Sequence, residues 1–222
     1  WADIDIVRSL LVKTRNFSFF GEDKITFAIK DHLNRPVGFI TRPIEPMAKM
    51  KYVNSPESVI YDKSKTLLGI EIAKKYIKRD GVYVVEGPGD LLQLYRLGIY
   101  NAVAVCGTAL TAHHLILLKS LGCRNIFLNF DWDNAGQMAT QRVLENVLKQ
   151  VPGINVQVVL QPESGEKDPD EFLFTSADSN SYYNLLKKTA FEWQLTQISD
   201  NEGPDSICNK MIPTISAEPA AI

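Results

Sequence analysis

Six acidic residues in the middle of the chain recur at spacings that could bind a divalent cation. They follow short apolar runs rich in β-branched residues, so each acidic group lies where a β-strand is expected to end. In an open parallel sheet the carboxyl ends of the strands line one crevice, where ligands bind. Carboxylates that converge there repel one another unless a cation neutralises them, and hard oxygen ligands suit Mg²⁺ or Mn²⁺. The six residues are Glu86, Asp90, Asp131, Asp133, Asp168 and Asp170.

Asp131 and Asp133 form the first candidate pair. On a strand, residues i and i+2 point to the same face, so both carboxylates can chelate one cation or bridge two. The alternative is a turn or a helix N-cap, because Asp is common where a strand leads into a helix. The same alternative applies to Asp168 and Asp170, which enclose a proline. Glu86 ends a strand of Val and Tyr and has no capping role, although a structural salt bridge would also satisfy it.

Alternating strand and helix patterns would position these carboxylates. Strands are predicted over 82–85, 102–105, 126–130 and 154–160, and helices over 90–97, 111–121 and 135–149. This order predicts a parallel sheet with right-handed crossovers, flanked by helices. The fold class of this part is therefore α/β, and the chain as a whole is α+β.

The pattern differs on both sides of the predicted parallel sheet. Upstream, residues 1–20 are predicted to form a short helix followed by a loop. A β-hairpin with strands over 25–29 and 37–42 comes next, and a helix follows over 67–77. Downstream, helices are predicted over 171–174, 182–188 and 191–198. We therefore divide the chain into a mixed α+β unit over 1–79, a parallel-sheet unit over 80–175 and a helical segment over 176–222.

Composition bounds the class of protein. The 222 residues are 45% hydrophobic and 23% charged, as in ordinary globular proteins, and the apolar runs are shorter than a membrane span. We see no signal peptide, and the first residue is Trp1 rather than Met, which indicates a piece of a longer protein. Three widely spaced cysteines exclude a zinc ribbon and suit a reduced compartment. We expect a cytoplasmic protein with no membrane partner.

The charge distribution is uneven along the chain. Residues 1–80 carry a net charge of +5 and the remainder carries −7. A basic part beside a metal-loaded acidic part is compatible with a polyanionic substrate. The basic candidates flank residues 52–56, where they would clamp phosphates and template beside the metals; solvated surface lysines are the alternative. These candidates are Arg42, Lys51, Lys63 and Lys65.

The ordered combination of motifs resembles the Toprim domain. Its marks are Glu-Gly-x-x-Asp over 86–90, Asp-x-Asp over 131–133 and Asp-Pro-Asp over 168–170. Bacterial-type DNA primases, type IA and II topoisomerases, some nucleases and recombination proteins share this domain. Residues 51–57 and 61–69 resemble the segment before Toprim in DnaG-type primases. The resemblance to DnaG-type primases covers roughly residues 20–175.

This resemblance implies the RNA polymerase core of a primase, which synthesises short RNA primers from nucleoside triphosphates on single-stranded DNA. A replicative helicase would be a further partner, through a C-terminal domain that is not present here. Glu86, Asp131 and Asp133 would be catalytic and hold two or more Mg²⁺ or Mn²⁺ ions, with Asp168, Asp170 and Asp90 extending the site. Arg42, Lys51, Asn54, Lys63 and Lys65 would contact the triphosphate or the template.

The chain departs from the usual DnaG pattern at several positions. Pro88 and Gly89 replace a bulky pair, Trp132 replaces a small residue, and Gln137 stands where a basic residue is frequent. Lys65 likewise stands where Arg is frequent. These departures suggest a diverged member of the family, from a phage or a mobile element.

Three alternatives remain open at the level of sequence. A Toprim nuclease or topoisomerase would use Glu86 as acid or base and the aspartates for metal. A nucleic-acid-binding module with a degenerate Toprim fold would have no catalytic activity. A response-regulator-like or phosphatase-like domain would use Asp131, but it leaves the residues before 80 unexplained.

Overall fold

A small antiparallel sheet opens the described part of the molecule. The computed structural model describes residues 24–44, 52–107, 109–175, 179–198 and 203–217. Strands β1 (Lys24–Lys30), β2 (Pro36–Pro43) and β3 (Val53–Asn54) lie in the order β1-β2-β3. The predicted hairpin is therefore confirmed, whereas the short helix and loop predicted within residues 1–20 lie outside the described residues.

The turn of the hairpin is held by one carboxylate. Asp31 Oδ1 accepts hydrogen bonds from the backbone nitrogens of Leu33 and Arg35, both at 2.9 Å. Asn34 adopts a positive φ of 66°, a conformation that Asn tolerates better than most residues. The turn fixes the register of the two strands, in which Ile25 pairs with Arg42 near the end of β2.

The segment between the two sheets contains a 3₁₀ turn (Lys63–Lys65) and two short α-helices instead of the single helix predicted over 67–77. The α-helices are α1 (Ile70–Ala73) and α2 (Ile77–Asp80). Gly69, the N-cap of α1, has a φ of 85°, and Leu68 pairs with Ala104 through two backbone hydrogen bonds. The prediction is wrong at the start because residue 68 is extended and residue 69 is left-handed, which excludes a helix there.

The larger sheet has the order β5-β4-β6-β7-β8. Neighbouring strands among the first four are parallel, which confirms the predicted parallel sheet flanked by helices. Its strands are β4 (Val82–Val85), β5 (Ala102–Ala104), β6 (Asn125–Leu128), β7 (Asn155–Val159) and β8 (Lys187–Thr189). Its connecting helices are α3 (Pro88–Arg96), α4 (Ala112–Ser120) and α5 (Asn134–Arg142), the last continuing through a π turn and a 3₁₀ turn to Gln150.

The C-terminal part is not entirely helical. It contains α6 (Pro169–Thr175), α7 (Ser179–Tyr183), α8 (Ala190–Thr196) and α9 (Pro204–Ala217). The helix predicted over 182–188 is wrong beyond Tyr183, because Lys187–Thr189 form β8, antiparallel to β7. Pairing with a sheet edge here overrides the local helical pattern. No helix in the described ranges is long and apolar enough to cross a membrane.

Strand β4 organises the hydrophobic core on both faces of the larger sheet. All four of its residues are buried, and consecutive side chains point to opposite faces. Val82 and Val84 belong to a cluster that includes residues of α4 and the continuation of α5. Tyr83 and Val85 belong to a second cluster, which contains apolar residues of α3 and of the small sheet. The small sheet therefore packs on the same face as α3, close to the carboxyl ends of the strands.

Candidate active site

The ends of β4 and β6 are joined through a side chain. Glu86 directly follows β4, and its Oε1 accepts a hydrogen bond from the backbone nitrogen of Asp131 at 3.2 Å. The backbone nitrogen of Asn129 also bonds the carbonyl of Val84 at 2.9 Å, which extends the pairing of the two strands. Glu86 and Asp131 therefore lie side by side at the carboxyl edge of the sheet, as the strand pattern predicted.

Asp90 lies in the first turn of α3 and points back to the start of the helix. Its Oδ2 accepts a hydrogen bond from the backbone nitrogen of Gly87 at 3.0 Å. The residue is only 7% exposed. Burial raises the pKa of Asp90 to about 7, and the carboxylates of Asp170, Asp168 and Glu86 add to the rise.

The pKa of Asp131 is also raised to about 7, first by burial and then by the charges of Glu86, Asp90, Asp168 and Asp133. Burial likewise raises the pKa of Glu86, with a smaller contribution from Asp133. Like charges and desolvation both disfavour ionisation, so a positive charge beside these carboxylates would favour their ionised forms. A divalent cation would supply that charge.

Asp133 has a different position from the other carboxylates. It is exposed and caps α5, where its Oδ1 accepts a hydrogen bond from the backbone nitrogen of Gly136 at 2.9 Å. Gly136 itself packs against Asp131, because a Cβ added there would lie 1.9 Å from the Asp131 carbonyl oxygen. The first turn of α5 therefore supports the loop that carries Asp131.

The Asp-Pro-Asp motif begins α6. Asp168 accepts a hydrogen bond from the backbone nitrogen of Glu171 at 2.8 Å, so it makes the N-cap contact that was the alternative to metal binding. The backbone nitrogen of Trp132 bonds the carbonyl of Lys167 at 2.9 Å and ties this loop to that of Asp131. Asp170 approaches α3, since a Cβ on Gly89 would lie 3.2 Å from its Oδ2.

Five of the six predicted carboxylates line one cavity of about 550 Å³. Asp133 does not line it, whereas Arg42, Tyr52, Asn54 and Arg142 do. Among the described residues, no three His, Cys, Asp or Glu side chains are gathered closely enough to form a ready metal centre. The donor set nevertheless fits a hard divalent cation, because it consists of carboxylate oxygens that form no ion pair with any residue the structure describes. The five carboxylates in the cavity are those of Glu86, Asp90, Asp131, Asp168 and Asp170.

Two of the predicted nucleotide-binding residues lie at the cavity, on the side of the small sheet. Arg42 Nη1 donates a hydrogen bond to the Tyr52 hydroxyl at 2.9 Å, and its Cζ lies 5.2 Å from the centre of the Tyr52 ring. Asn54 Nδ2 donates to the carbonyl of Cys106 at 3.0 Å, while its Oδ1 accepts from the Tyr61 hydroxyl at 3.4 Å. Asn54 thereby links the small sheet to the end of β5.

The lysine candidates are placed differently. Lys65 pairs with Asp62 at 2.8 Å, and the Lys63 carbonyl contacts His114 Nε2 at 3.0 Å. Neither lysine lines the cavity, and Lys51 lies outside the described residues.

Two cavity residues were missed in the sequence. Tyr52 sits inside the segment flanked by the basic candidates, so its position there could have identified it. Arg142 lies eleven residues after Asp131, near the end of α5, and no local motif marks it. Its location depends on how the helix packs.

Two known families match this chain. A family described as DNA primase catalytic core, N-terminal domain, matches residues 4–74, and a Toprim-like family matches residues 83–173. A DNA primase of Campylobacter jejuni is 38% identical over 179 residues, which are 79% of this chain and 29% of that protein. The chain thus spans about three tenths of the length of this curated relative.

Solved structures are similar over nearly the whole chain. The E. coli primase catalytic core has a TM-score of 0.77 and 28% identity, covering 96% of this chain and 71% of that one. A DnaG primase catalytic domain bound to single-stranded DNA has a TM-score of 0.75 and 27% identity, covering 98% of this chain and 70% of that one.

Proposed function

The chain belongs to the DnaG-like DNA primases, with an N-terminal catalytic-core domain and a Toprim domain, and we propose that it acts as primase catalytic core. The reaction is template-directed synthesis of short RNA primers from nucleoside triphosphates on single-stranded DNA. The observation that best supports this proposal is that the Toprim carboxylates and Arg42 of the small sheet line the same cavity. The alternatives are a nuclease and a non-catalytic binding module, and each requires that the chain does not synthesise primers.

The cofactor in this proposal is a divalent cation, Mg²⁺ or Mn²⁺. Glu86, Asp131, Asp168 and Asp170 would hold it with Asp90 in support, and Asp133 would join them from the N-terminus of α5. Cations bound there would activate the primer 3′-hydroxyl and stabilise the leaving pyrophosphate. The protein contributes mainly by positioning the reactants and compensating charge, because phosphoryl transfer requires little covalent chemistry from side chains.

The basic residues would bind the phosphates of both substrates. Arg42 is pre-oriented by its hydrogen bond to Tyr52 and faces the carboxylates across the cavity. A planar guanidinium can bind phosphate oxygens in a bidentate manner. Lys51, Lys63 and Lys65 remain candidates for the template backbone, where contacts are independent of sequence. The single-stranded DNA bound to the similar DnaG domain supports this choice of template.

The three parts into which the sequence was divided would have different roles in this function. Residues 1–79 would supply the phosphate-binding side of the cavity, residues 80–175 the metal-binding side, and residues 176–222 a mainly helical support. A replicative helicase and a cytoplasmic location would follow if the complete protein works like other bacterial primases.

The direct test is incorporation of labelled ribonucleotides on single-stranded DNA with Mg²⁺ or Mn²⁺. Short RNA products that depend on template, on all required nucleotides and on metal would support a primase core. Cleavage of plasmid DNA without added nucleotides would instead identify a nuclease. DNA binding with neither activity would identify a binding module and contradict the proposal.

Metal binding has a separate test in the thermal unfolding midpoint. A cation that binds only the folded protein stabilises it by mass action, so Mg²⁺ should raise the midpoint of the wild-type protein. Asp131→Asn should reduce that rise. An equal rise in both proteins would contradict the assignment of Asp131 as a metal ligand.

A further inference from the structure

Arg142 is a cation in the cavity that neither the sequence motifs nor the proposed roles above include. It is exposed and lies in α5, whose continuation packs on the face of the larger sheet opposite the small sheet. Ala139, one turn earlier on the same helical face, lines the same cavity. Long side chains in a helix tend to point back toward its N-terminus, and the N-terminal turn of α5 is the part that packs against Asp131.

The guanidinium of Arg142 has no ion pair with any described residue. This is notable because five carboxylates line the same cavity. Most other arginines of the described ranges are engaged, among them Arg35 with Asp31, Arg79 with Asp80, and Arg42 with Tyr52. As far as the described residues are concerned, the guanidinium donors of Arg142 are therefore available to an anion that enters the cavity.

Two simpler roles for Arg142 do not account for its position. It does not end a helix whose dipole would need a cation, since α5 continues through Val143–Val147 and Leu148–Gln150. It also does not neutralise the acidic cluster, because it pairs with none of its members within the described residues.

We infer that Arg142 is a phosphate-binding residue of the cavity, acting from α5 while Arg42 acts from the small sheet. This inference rests on the proposed function and deepens it. An anionic ligand held over the carboxylates by a divalent cation would lie between the two guanidinium groups. The ligand chemistry is a phosphate oxyanion, either of the incoming nucleoside triphosphate or of the nucleic-acid backbone.

Gln137 makes this role more specific to the present chain. In related motifs a basic residue is frequent at that position, but here Gln137 Nε2 donates to the carbonyl of Trp132 at 3.3 Å. Within α5, Asn134–Arg142, the positive charge comes from Arg142 alone. Arg142 thus supplies, further along the same helix, a positive charge that Gln137 does not supply.

The test compares Arg142→Ala with Arg124→Ala. Arg124 is also exposed and without an ion pair in the described ranges. It directly precedes β6 and so lies at the amino end of that strand, whereas the cavity lies at the carboxyl ends. Affinities are measured for a fluorescent nucleoside triphosphate with Mg²⁺ and for an oligonucleotide of about 16 residues at several salt concentrations. Arg142→Ala should weaken one of them by about tenfold, whereas Arg124→Ala should not.

The two sources of phosphate give different results. A triphosphate contact weakens nucleotide affinity and leaves oligonucleotide binding unchanged. A backbone contact weakens oligonucleotide binding and lowers its log–log salt slope by about 0.7. Arg142→Lys should restore part of the lost affinity in either case, because the charge remains while the forked geometry is lost.

Failure of the inference can be separated from failure of the proposed function. If wild type binds both ligands and Arg142→Ala behaves like Arg124→Ala, Arg142 has no such role, and the primase proposal is unaffected by that result. If Arg142→Ala weakens binding but the wild type makes no primers, the phosphate contact stands and the primase proposal falls. Wild type that binds neither ligand overturns both. Equal thermal unfolding midpoints for the two variants exclude a folding defect.

Discussion

The Glu86 carboxylate accepts a hydrogen bond from the backbone nitrogen of Asp131 at 3.2 Å. This contact joins the ends of two neighbouring parallel strands and fixes the main chain that carries the second carboxylate. It also places two negative groups close together in a half-buried site. Removing the charge of Glu86 should therefore change the pKa of Asp131.

Glu86→Gln should lower the pKa of Asp131 from its value of about 7. The Gln side-chain oxygen can still accept the hydrogen bond, but the charge that helps to raise the Asp131 pKa is removed. Burial remains, so the pKa should stay above its ordinary value of about 3.9. The measurement is a titration of the Asp131 carboxyl carbon by NMR in metal-free buffer.

Glu57→Gln is the matched control for this titration, because Glu57 is exposed and does not line the cavity. It should leave the Asp131 titration unchanged. An Asp131 pKa that is the same in Glu86→Gln and in wild type would show that the two carboxylates do not interact as described.

Gly136→Ala should destabilise the protein and reduce primer synthesis. The added Cβ would lie 1.9 Å from the Asp131 carbonyl oxygen, so the backbone of α5 or of the Asp131 loop must move. Overpacking of this kind costs about 1–3 kcal/mol of unfolding free energy. Displacement of Asp131 by about 1 Å would lower the rate of synthesis by about a hundredfold.

Gly203→Ala provides the control, because a Cβ at Gly203 would meet no atom within 4 Å. Denaturant unfolding and ribonucleotide incorporation should both remain at the wild-type level for this variant. If Gly136→Ala were as stable and as active as Gly203→Ala, the proposed packing of α5 against Asp131 would be wrong.

His114 should make stability depend on pH. Its Nδ1 accepts from the backbone nitrogen of Thr111 at 3.1 Å, and its Nε2 faces the Lys63 carbonyl, so the neutral ring with a proton on Nε2 satisfies both partners. Burial lowers the pKa of His114 below 6.5. Its contribution to stability is therefore complete above about pH 6.5 and is lost as the pH falls through the lower folded-state pKa.

Unfolding free energies at several pH values test this expectation. The contribution should fall by up to about 1.4 kcal/mol per pH unit below pH 6.5 in the wild type. His114→Gln should be less stable at pH 8 and should lack this part of the dependence. His113→Gln changes an exposed neighbour and should keep the wild-type profile. An identical pH profile in wild type and His114→Gln would contradict the role of the ring.

The sequence predicts the parallel sheet and most of its acidic edge because the relevant signals are local. Apolar runs such as Val82–Val85 must be buried, and a carboxylate that follows such a run, as Glu86 does, lies at the strand end. The position of Asp133 could not be decided in this way, because an N-cap and a metal ligand require the same residue type. The structure places it on α5 and outside the cavity lining.

Other features depend on contacts between distant parts of the chain. Lys187–Thr189 become a strand only because the edge of β7 is available for pairing. The break before α1 follows from the pairing of Leu68 with Ala104, 36 residues later. Arg142 reaches the cavity through the packing of a whole helix, which periodicity alone does not specify.

The most direct test of the proposed catalytic site is primer synthesis by Asp131→Asn beside Asp80→Asn. Asp131 lines the cavity, whereas Asp80 is part of α2, ahead of β4, and forms an ion pair with its neighbour Arg79 at 2.7 Å. We predict that Asp131→Asn lowers synthesis at least about a hundredfold while the unfolding midpoint in metal-free buffer does not fall, because a destabilising buried charge is removed. Asp80→Asn should retain wild-type synthesis. Wild-type rates in Asp131→Asn would contradict the assignment of the acidic cavity as the catalytic site.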